Sequence, residues 1–541
     1  MYKKLEELLV QFDEYHLERL ISHEIEAALE YLAGPEDKTR REWLVQCALA
    51  THGIGLFREK VARTGLFGLL GEEELVRTVQ RLCKRAPSEK PLENALKLSD
   101  LPWASGFPVV EFVGERFEIP ISFLPHKSVG TSPVENLEPF RPLPPLHPHQ
   151  EDVRSQIEEI FQNGSGNLLV QMPTGSGKTR TMVEALASCW GETLGRGCLV
   201  WLAHSEELCE QAADSFARVW PQRASQPARL VRLFGKHEPP PFSIPGSIVI
   251  ASLQKIYYRR KKGSFITKVL QSRAHVVVFD EAHRALAPSF QDVTEFLTAE
   301  GAPLAGLSAT PGRGIDQDKE NKRLANLFDA KLVEPSGKGD VVSRLENEGI
   351  LASVIRREVD TGVEVYPVEK DLEDLRLGFD YGAVILKSLA RNRTRNKLLL
   401  DIVKEEVANK RPTILFACSV SHARILSAAL NLVGVSAACI HAELPRSDRY
   451  SAVEGFRSGE VDVLTNFGVL TTGFDAPRTR TVIVARPTNS AVLYAQMVGR
   501  ALRGPKMGGG EKAWVVDVKD NLERFGAVTN VYNAFERFWD E

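Results

Sequence analysis

From about residue 145 onward, short β-branched runs alternate with longer stretches of helical character. The runs are GNLLVQMP, GCLVWLAH, GSIVIAS, HVVVFDEAH and PLAGLSAT, and a second series starts after about residue 340 with PTILFACS, SAACIHA, VDVLTN, TVIVARP and KAWVVDV. Continuous apolar strands separated by helices are typical of a parallel sheet covered by helices. The pattern predicts two α/β domains in tandem.

Other segments flank this pattern. Apolar residues recur at spacings of three and four in residues 1–98, which predicts a mainly helical N-terminal domain. Residues 99–144 show partial alternation and then a proline-rich stretch, which predicts a small β hairpin and a linker. The α/β domains are expected at 145–335 and 336–520, and a terminal helix at 521–541.

Composition restricts the classes open to the chain. A formal net charge of -3 excludes a generally basic nucleic-acid coat but is compatible with a local basic channel. The seven cysteines contain no CxxC pair and are interpreted as reduced core residues, so no zinc is expected. We find neither an apolar stretch that could span a bilayer nor a secretory leader, and therefore predict a cytoplasmic protein without membrane contact.

The stretch PTGSGKT lies between the first apolar run and a helical stretch. Exposed backbone N–H groups and a helix N-terminus attract phosphate, so Lys178 is predicted to reach the β and γ phosphates of ATP and Thr179 to bind Mg²⁺. An ordinary capped turn is the alternative, and Met172 stands where the common phosphate-loop pattern has glycine. The other loop residues predicted to bind nucleotide are Thr174, Gly175, Ser176 and Gly177.

An acidic pair follows the run HVVVF. Asp280 and Glu281 would lie at the carboxyl end of a buried strand, where ligands of open α/β sheets bind. Asp280 suits the metal ion, and Glu281 is placed to polarise the water that attacks the γ-phosphate. His283 is predicted to couple this site to the next motif. A solvated pair at a helix start, capped by the histidine, is the alternative.

With SAT at 308–310, TTGFDAP at 471–477 and QMVGRALR at 496–503, these motifs resemble, in order and spacing, those of superfamily 2 DEAH-box helicases and translocases. WLAHSEELCEQ, VLTTGFDAP and YAQMVGRALR look most similar to the RadD-type repair helicases, the motor of type I restriction enzymes and the XPB group. The resemblance implies two RecA-like domains, with ATP between them and nucleic acid across their top.

The resemblance also assigns nucleotide contacts. Gln150 would read adenine, with an exposed polar residue as the alternative. Ser308 and Thr310 would couple hydrolysis to the second domain, or simply cap a strand end. Gly473 and Asp475 would approach the nucleotide from the second domain, although their sequence also suits an ordinary turn.

The stretch YAQMVGRALRG predicts one further helix. Gln496, Arg500 and Arg503 are spaced four and three apart, hence on one face, which we expect to look toward Lys178 and Glu281. The two guanidinium groups would then stabilise charge on the transferring phosphoryl group. A basic helix face in solvent is the alternative.

Several residues are candidates for contact with nucleic acid. AHSEEL and ASLQKI resemble the family's strand-tracking motifs, and their hydroxyls and amides suit phosphate. In YYRRKKG, aromatics beside cations suit bases or phosphates, a solvated charged face being the alternative. The candidates are His204, Ser252, Gln254, Tyr257, Arg259, Arg260, Lys261, Lys262, Thr465 and Thr471.

The resemblance therefore implies an ATP hydrolase that requires Mg²⁺ and moves along DNA, in DNA repair or in antiviral defence against foreign DNA. A double-strand translocase without unwinding, an RNA helicase, and a switch ATPase without nucleic acid are the alternatives. Residues 1–140 are expected to serve substrate or protein-partner recognition. A chain starting near residue 140 is expected to retain ATP hydrolysis, because the motor motifs all lie beyond it.

Overall fold

The computed structural model describes residues 3–34, 38–83, 86–125, 132–137, 143–164, 166–312, 317–364, 380–470 and 476–520. The chain divides into two compact units. The first comprises Met1–Gly130 and Val384–Val469, and the second comprises Thr131–Ala383 and Leu470–Glu541. No helix in the described ranges is long and apolar enough to cross a membrane. The terminal helix predicted at 521–541 lies outside these ranges.

The helices are α1 (Lys3–Leu9), α2 (Glu14–Leu20), α3 (His23–Ala33), α4 (Arg40–His52), α5 (Lys60–Gly68), α6 (Glu72–Cys83), α7 (Pro91–Ser99), α8 (Pro108–Arg116), α9 (Pro148–Gln162), α10 (Lys178–Trp190), α11 (Glu206–Arg223), α12 (Leu253–Lys261), α13 (Phe265–Arg273), α14 (Pro288–Thr298), α15 (Asp318–Leu327), α16 (Val341–Asn347), α17 (Ala383–Arg391), α18 (Arg393–Ala408), α19 (Val420–Leu432), α20 (Arg446–Ser458) and α21 (Ala491–Val498). The strands are β1 (Val134–Leu137), β2 (Leu168–Gln171), β3 (Cys198–Ala203), β4 (Ala228–Leu233), β5 (Ser247–Ser252), β6 (Ala274–Asp280), β7 (Leu304–Ser308), β8 (Leu332–Val333), β9 (Ser353–Asp360), β10 (Thr413–Phe416), β11 (Ala437–His441), β12 (Val463–Phe467), β13 (Thr481–Val484) and β14 (Lys512–Lys519).

The start of the chain is helical, as predicted. Asp13, Ser22 and Thr39 each accept a hydrogen bond from a backbone N–H in the first turn of the helix that follows, which satisfies groups that a helix start leaves unpaired. Gly34 and Gly53 end α3 and α4 with positive φ, a conformation that glycine adopts without steric cost. Local sequence therefore fixes where these helices begin and end.

The hairpin predicted within residues 99–144 does not form where the alternation suggested it, because α8 occupies that stretch. Pro108 starts the helix with a backbone angle that suits its first position, and Val109, Val110 and Val113 are all buried. Their spacing of one, three and four also fits one helical face, so partial alternation misled the prediction. A strand, β1, does follow, and it pairs antiparallel with β4.

The N-terminal helices pack against helices from the middle of the chain within the first unit. Both α3 and α4 contact α19, and α3 also contacts α18. The Arg58 guanidinium donates to both carboxylate oxygens of Asp448, whose side chain is only 7% exposed. The helical segment and residues 384–469 thus share one packed structure.

Deleting residues 1–130 is therefore expected to destabilise the chain, which revises the expectation that a chain starting near residue 140 would work. The deletion uncovers the face of α19 that α3 and α4 cover, and it leaves the buried Asp448 carboxylate without Arg58. We expect a lower melting temperature and aggregation, measured by calorimetry and light scattering. A soluble monomer with the full-length melting temperature of residues 131–541 would contradict this expectation.

The second unit contains an eight-stranded sheet with the order β1-β4-β5-β3-β6-β7-β2-β8. All neighbouring strands are parallel except β1 and β4. Successive residues alternate between the two faces, so that Val170 and Trp201 lie in one apolar core and Leu169 and Val200 in the other. This burial on both faces explains the continuous apolar runs of the sequence.

A second set of parallel strands follows along the chain. In the first unit, β12 lies between β11 and β10 and is parallel to both. In the second unit, β14 lies between β13 and β9, again with parallel pairing. The region predicted as the second α/β domain thus supplies strands to both units, and the prediction of two parallel-sheet α/β domains is confirmed.

Candidate active site

The loop between β2 and α10 forms a tight turn at the carboxyl edge of the sheet. Gly175 and Gly177 have φ angles of 90° and 95°, where a side chain would be strained, so the two glycines are required by the backbone. Lys178 is the first residue of α10 and donates from Nζ to the backbone oxygen of Met172, at 3.0 Å. The loop therefore has the glycine-rich turn and the helix start that suit a phosphate chain.

Two side chains from the start of α9 brace this loop. The Ser176 backbone oxygen accepts from Gln150 Nε2 at 3.0 Å, and His149 Nε2 lies at the same distance from it. Gln150 Oε1 accepts from the backbone N–H of His147, so both ends of the Gln150 amide contact protein groups. Gln150 is buried and holds the loop here, and its contact with adenine stays a prediction.

Asp280 is the last residue of β6, and one strand, β7, lies between β6 and β2 in the sheet. Burial raises the pKa of the Asp280 carboxyl to about 7, the Glu281 carboxylate acts in the same direction, and the charge of Lys178 opposes them. A carboxyl so placed favours a nearby cation, because a cation would stabilise its ionised form. Asp280 and the Thr179 hydroxyl offer oxygen ligands of the kind that Mg²⁺ prefers, and these two residues would hold the ion.

Glu281 adopts a left-handed backbone conformation, with φ 58° and ψ 54°. This conformation costs on the order of 1–3 kcal/mol for a residue other than glycine, and backbone strain of this kind is one feature of active sites. The Glu281 Oε2 atom lies 3.3 Å from His283 Nδ1 and accepts from Gln496 Nε2 at 3.2 Å. The structure thus brings Gln496, 215 positions further along the chain, to the predicted base.

Lys178 shares this acidic environment. Burial lowers the pKa of its ammonium group, whereas Glu281 and Asp280 raise it. The charge of Arg500 acts in the same direction as burial and also lowers this pKa. The pKa of Lys178 therefore depends on two carboxyl groups and one guanidinium group, all within the second unit.

The segment after α21 differs from the prediction in shape. The helix ends at Val498, so Gln496, Arg500 and Arg503 do not share one helical face, and the arginines follow the helix. Gly499 lets this segment approach the phosphate loop closely, since a Cβ there would lie 2.6 Å from the Cβ of Thr174. The segment therefore packs directly on the phosphate loop.

Arg503 reaches the same loop by a second contact. Its Cα lies 3.7 Å from where a Cβ on Gly175 would stand, and its backbone forms a bridge with Leu351. Arg500 Nε donates to the backbone oxygen of Gln496 at 3.4 Å. Arg503 thus lies at the loop, whereas Gln496 contacts Glu281 and Arg500 contacts Gln496, so the three residues do not share the predicted helical face.

Ser308 and Thr310 are buried at the end of β7, next to β2. The Ser308 hydroxyl donates to the backbone oxygen of Thr310 at 2.5 Å and accepts from its N–H at 3.2 Å. These bonds stiffen the strand end, and a coupling role for the two residues stays a prediction. The predicted residues Thr471, Gly473 and Asp475 lie outside the described residues.

The strand-tracking candidates lie at the same sheet edge. The His204 backbone oxygen accepts from Gln254 Nε2 at 3.0 Å, which ties the loop after β3 to the start of α12. Burial lowers the pKa of His204 to about 4, so its imidazole is neutral at pH 7 and carries no charge toward phosphate. Ser252 is buried as the residue before α12. Thr465 is fully buried and donates its hydroxyl to Ala423, so it does not present the predicted contact.

The predicted basic cluster contains cations of two kinds. Arg259 forms an ion pair with Glu238, and Arg260 forms one with Asp292. Lys261 and Lys262 are exposed. The two tyrosines of the cluster also differ in exposure. Tyr257 is half-buried under the Lys261 ammonium, whereas its neighbour Tyr258 is 66% exposed.

Sequence reasoning did not include Glu238, Asp292 or Tyr258 among the site residues. The two acids lie in other segments of the chain, and nothing in their local sequence indicates an arginine partner. Tyr258 is part of YYRRKKG, but the sequence does not tell which of Tyr257 and Tyr258 faces solvent, because that depends on how α12 packs. In the described part of the chain, no group of three or more His, Cys, Asp or Glu side chains is placed to hold a metal ion.

Comparison with family models assigns two regions. Residues 143–313 match the type III restriction enzyme res subunit, and residues 394–505 match the helicase conserved C-terminal domain. Together the two regions cover about half of the chain. They contain the phosphate loop, the acidic pair, Gln496 and both arginines.

Individual proteins are similar over parts of their length. The ATP-dependent helicase IRC3 of Saccharomyces cerevisiae is 24% identical over 66% of this chain and 50% of its own length. The DEAD-box ATP-dependent RNA helicase 41 of Arabidopsis thaliana is 34% identical over 20% of this chain and 22% of its own length. A fragment of an HsdR subunit of a type I restriction enzyme from Vibrio vulnificus is 22% identical, with a TM-score of 0.49, over 70% of this chain and 65% of that one.

The chain thus spans half, or less, of the length of the two full-length relatives just described. The two matched domains follow one another in the order that the motifs predicted. The chain belongs to superfamily 2 of the ATP-dependent helicases and translocases.

Proposed function

We propose that the chain is an ATP-dependent DNA helicase or translocase, in which hydrolysis of ATP at the phosphate loop drives movement along DNA. The observation that carries this proposal is the hydrogen bond from Gln496 to Glu281. It joins the residue proposed as the hydrolytic base to a segment of the second family domain, so the site includes parts of both domains. An ATPase built in this way can couple hydrolysis to domain movement.

In this mechanism Lys178 and the loop N–H groups hold the β and γ phosphates. Thr179 and Asp280 would hold Mg²⁺, which would supply positive charge beside the phosphates when bound. Glu281 accepts a proton from the attacking water. Arg500 and Arg503 stabilise the charge of the transferring phosphoryl group. The Gln496 amide keeps the Glu281 carboxylate in place by its hydrogen bond.

DNA is the preferred substrate in this proposal. The family model that matches residues 143–313 is that of a restriction enzyme subunit, a class of enzyme that acts on DNA. The similarity to an RNA helicase makes RNA the second candidate. A role in repair or antiviral defence, the DEAH-box subgroup, a cytoplasmic location and a partner bound through residues 1–140 stay predictions.

The substrate is tested by steady-state ATP hydrolysis with no polymer, single-stranded DNA, duplex DNA or RNA, at equal nucleotide concentrations. We expect a bound substrate to raise the rate of hydrolysis, because it favours the closed, hydrolytic form. Since DNA is the proposed substrate, it should raise the rate more than RNA does. Stimulation by duplex alone would indicate a double-strand translocase, and stimulation by RNA alone an RNA helicase. A rate that no polymer changes would contradict the proposal and favour a switch ATPase.

A further inference from the structure

Three exposed aromatic side chains lie on neighbouring elements of the second unit. Tyr258 is 66% exposed, Phe265 is 67% exposed and Phe242 is 77% exposed. We call Tyr258, Phe265 and Phe242 the aromatic rim. A single exposed ring is common at a protein surface, but three on neighbouring elements, one of which lines a polar groove, indicate a surface that contacts a ligand.

The turn between α12 and α13 places the first two rings. Gly263 has φ 66° and donates its N–H to Arg260, while the Ser264 N–H donates to the backbone oxygen of Arg259 at 2.9 Å. The turn ends α12 shortly after Tyr258 and starts α13 directly at Phe265. Both rings are therefore held by a closed, hydrogen-bonded turn.

Phe242 is presented by a stiff segment. It follows three consecutive prolines, 239–241, whose rings restrict the backbone, and it lies in the short helical turn Pro241–Ser243. Ser243 Oγ donates to the backbone oxygen of Pro240 at 2.6 Å, and Ile244 is fully buried. The turn also contacts α13, which starts at Phe265. Because the segment is already ordered, little conformational entropy is lost when a ligand covers the ring.

Next to the rim is a groove lined by Tyr258, Ser252, Gln254 and charged side chains. Its cations are Lys255, Arg259 and Lys262, and its acids are Glu206 and Glu238. Glu238 pairs with both Lys255 and Arg259, whereas Lys262 has no ion pair among the described residues. The groove therefore carries only a small positive excess, which suits one or two phosphates rather than a long tract of backbone.

We propose that the aromatic rim stacks on unpaired bases of single-stranded DNA whose backbone passes through the groove beside Lys262. The inference rests on the proposed function and narrows its substrate. Every base offers a π face, so stacking tolerates any sequence, but bases inside a duplex are already stacked and not available. The rim thus selects the single-stranded form, which phosphate contacts alone do not do.

The test uses single-stranded DNA that carries 2-aminopurine, whose fluorescence reports on stacking, with the full-length protein. Replacing Tyr258 and Phe265 together by alanine should weaken binding by about tenfold or more and remove the fluorescence change. Phe242→Ala should give a smaller loss in both measurements. Tyr258→Phe should bind like the wild type, because stacking requires the ring and not the hydroxyl.

The matched control is Tyr450→Ala. Tyr450 is also 66% exposed, but it lies on α20 of the first unit, so its loss should change neither the affinity nor the fluorescence. Affinity for duplex DNA should be equal in all variants.

Two outcomes separate this inference from the proposed function. If the double alanine variant binds single-stranded DNA and changes its fluorescence as the wild type does, the rim does not stack on bases, although the motor proposal survives. If the wild type itself neither binds DNA nor hydrolyses ATP faster with it, the proposed function is wrong. Equal weakening of single-stranded and duplex binding would also overturn the inference, because it would indicate phosphate contact.

Discussion

Lys178→Ala is expected to lower ATP hydrolysis by on the order of a thousandfold or more, because it removes the cation that we propose holds the β and γ phosphates. The change should leave the fold intact. The pKa of Lys178 is lowered mainly by burial, so the folded chain bears a desolvation cost for this ammonium group that alanine does not. Steady-state ATP turnover measures the loss of hydrolysis, and circular dichroism with thermal unfolding measures whether the fold is intact.

The control for this variant is Lys404→Ala, which removes an exposed lysine on α18 and should leave turnover unchanged. Glu281→Gln gives a contrasting result, since it should stop hydrolysis while nucleotide and Mg²⁺ still bind. Normal turnover in Lys178→Ala would refute the assignment of the phosphate loop. Loss of nucleotide binding in Glu281→Gln would instead indicate a structural role for the acid.

Arg500→Ala is the second large effect. We expect nucleotide affinity to stay within a few-fold, while turnover in saturating DNA falls by on the order of a thousandfold, as for other arginines that act on a transferring phosphoryl group. Arg500 Nε donates to the backbone oxygen of Gln496, and the Gln496 amide donates to Glu281, which is why we assign Arg500 to this site. Equilibrium binding of a nucleotide analogue and DNA-stimulated hydrolysis separate the two quantities.

Arg500→Lys tests what kind of interaction this is. A lysine keeps the charge but loses the planar fork, so partial turnover would show that charge dominates, and turnover as low as that of alanine would show that geometry does. Arg457→Ala, at a surface ion pair on α20, is the control and should behave like the wild type. If Arg500→Ala hydrolysed ATP normally in saturating DNA, the role assigned to Arg500 would be wrong.

The sequence predicted the parts of the site that short segments determine. PTGSGKT requires glycines with positive φ before a helix, and HVVVFDE places Asp280 and Glu281 at a strand end, because a local pattern sets each of these features. The sheet then brings them together, since parallel strands present their carboxyl ends at one edge. The strained backbone of Glu281 carries no sequence signal, because glutamate rarely adopts it.

Features that depend on distant packing could not be predicted in this way. The spacing of Gln496, Arg500 and Arg503 fits one helical face, but the helix ends at Val498, before the two arginines. The close approach of Gly499 to Thr174 joins two distant segments and has no local sequence signal. The ion pairs of Arg259 and Arg260 depend on acids in other elements. Likewise, the packing of α3 and α4 on α19 joins segments that are hundreds of residues apart.

The central claim is that ATP hydrolysis at this site drives movement along DNA, and displacement of streptavidin from the end of biotinylated single-stranded DNA tests it most directly. With ATP and Mg²⁺, the wild type should displace streptavidin, and it should not do so with a non-hydrolysable analogue. Arg500→Ala should bind the same DNA yet displace nothing. ATP hydrolysis that DNA stimulates without any displacement, on DNA biotinylated at either end or on a duplex track, would contradict the claim.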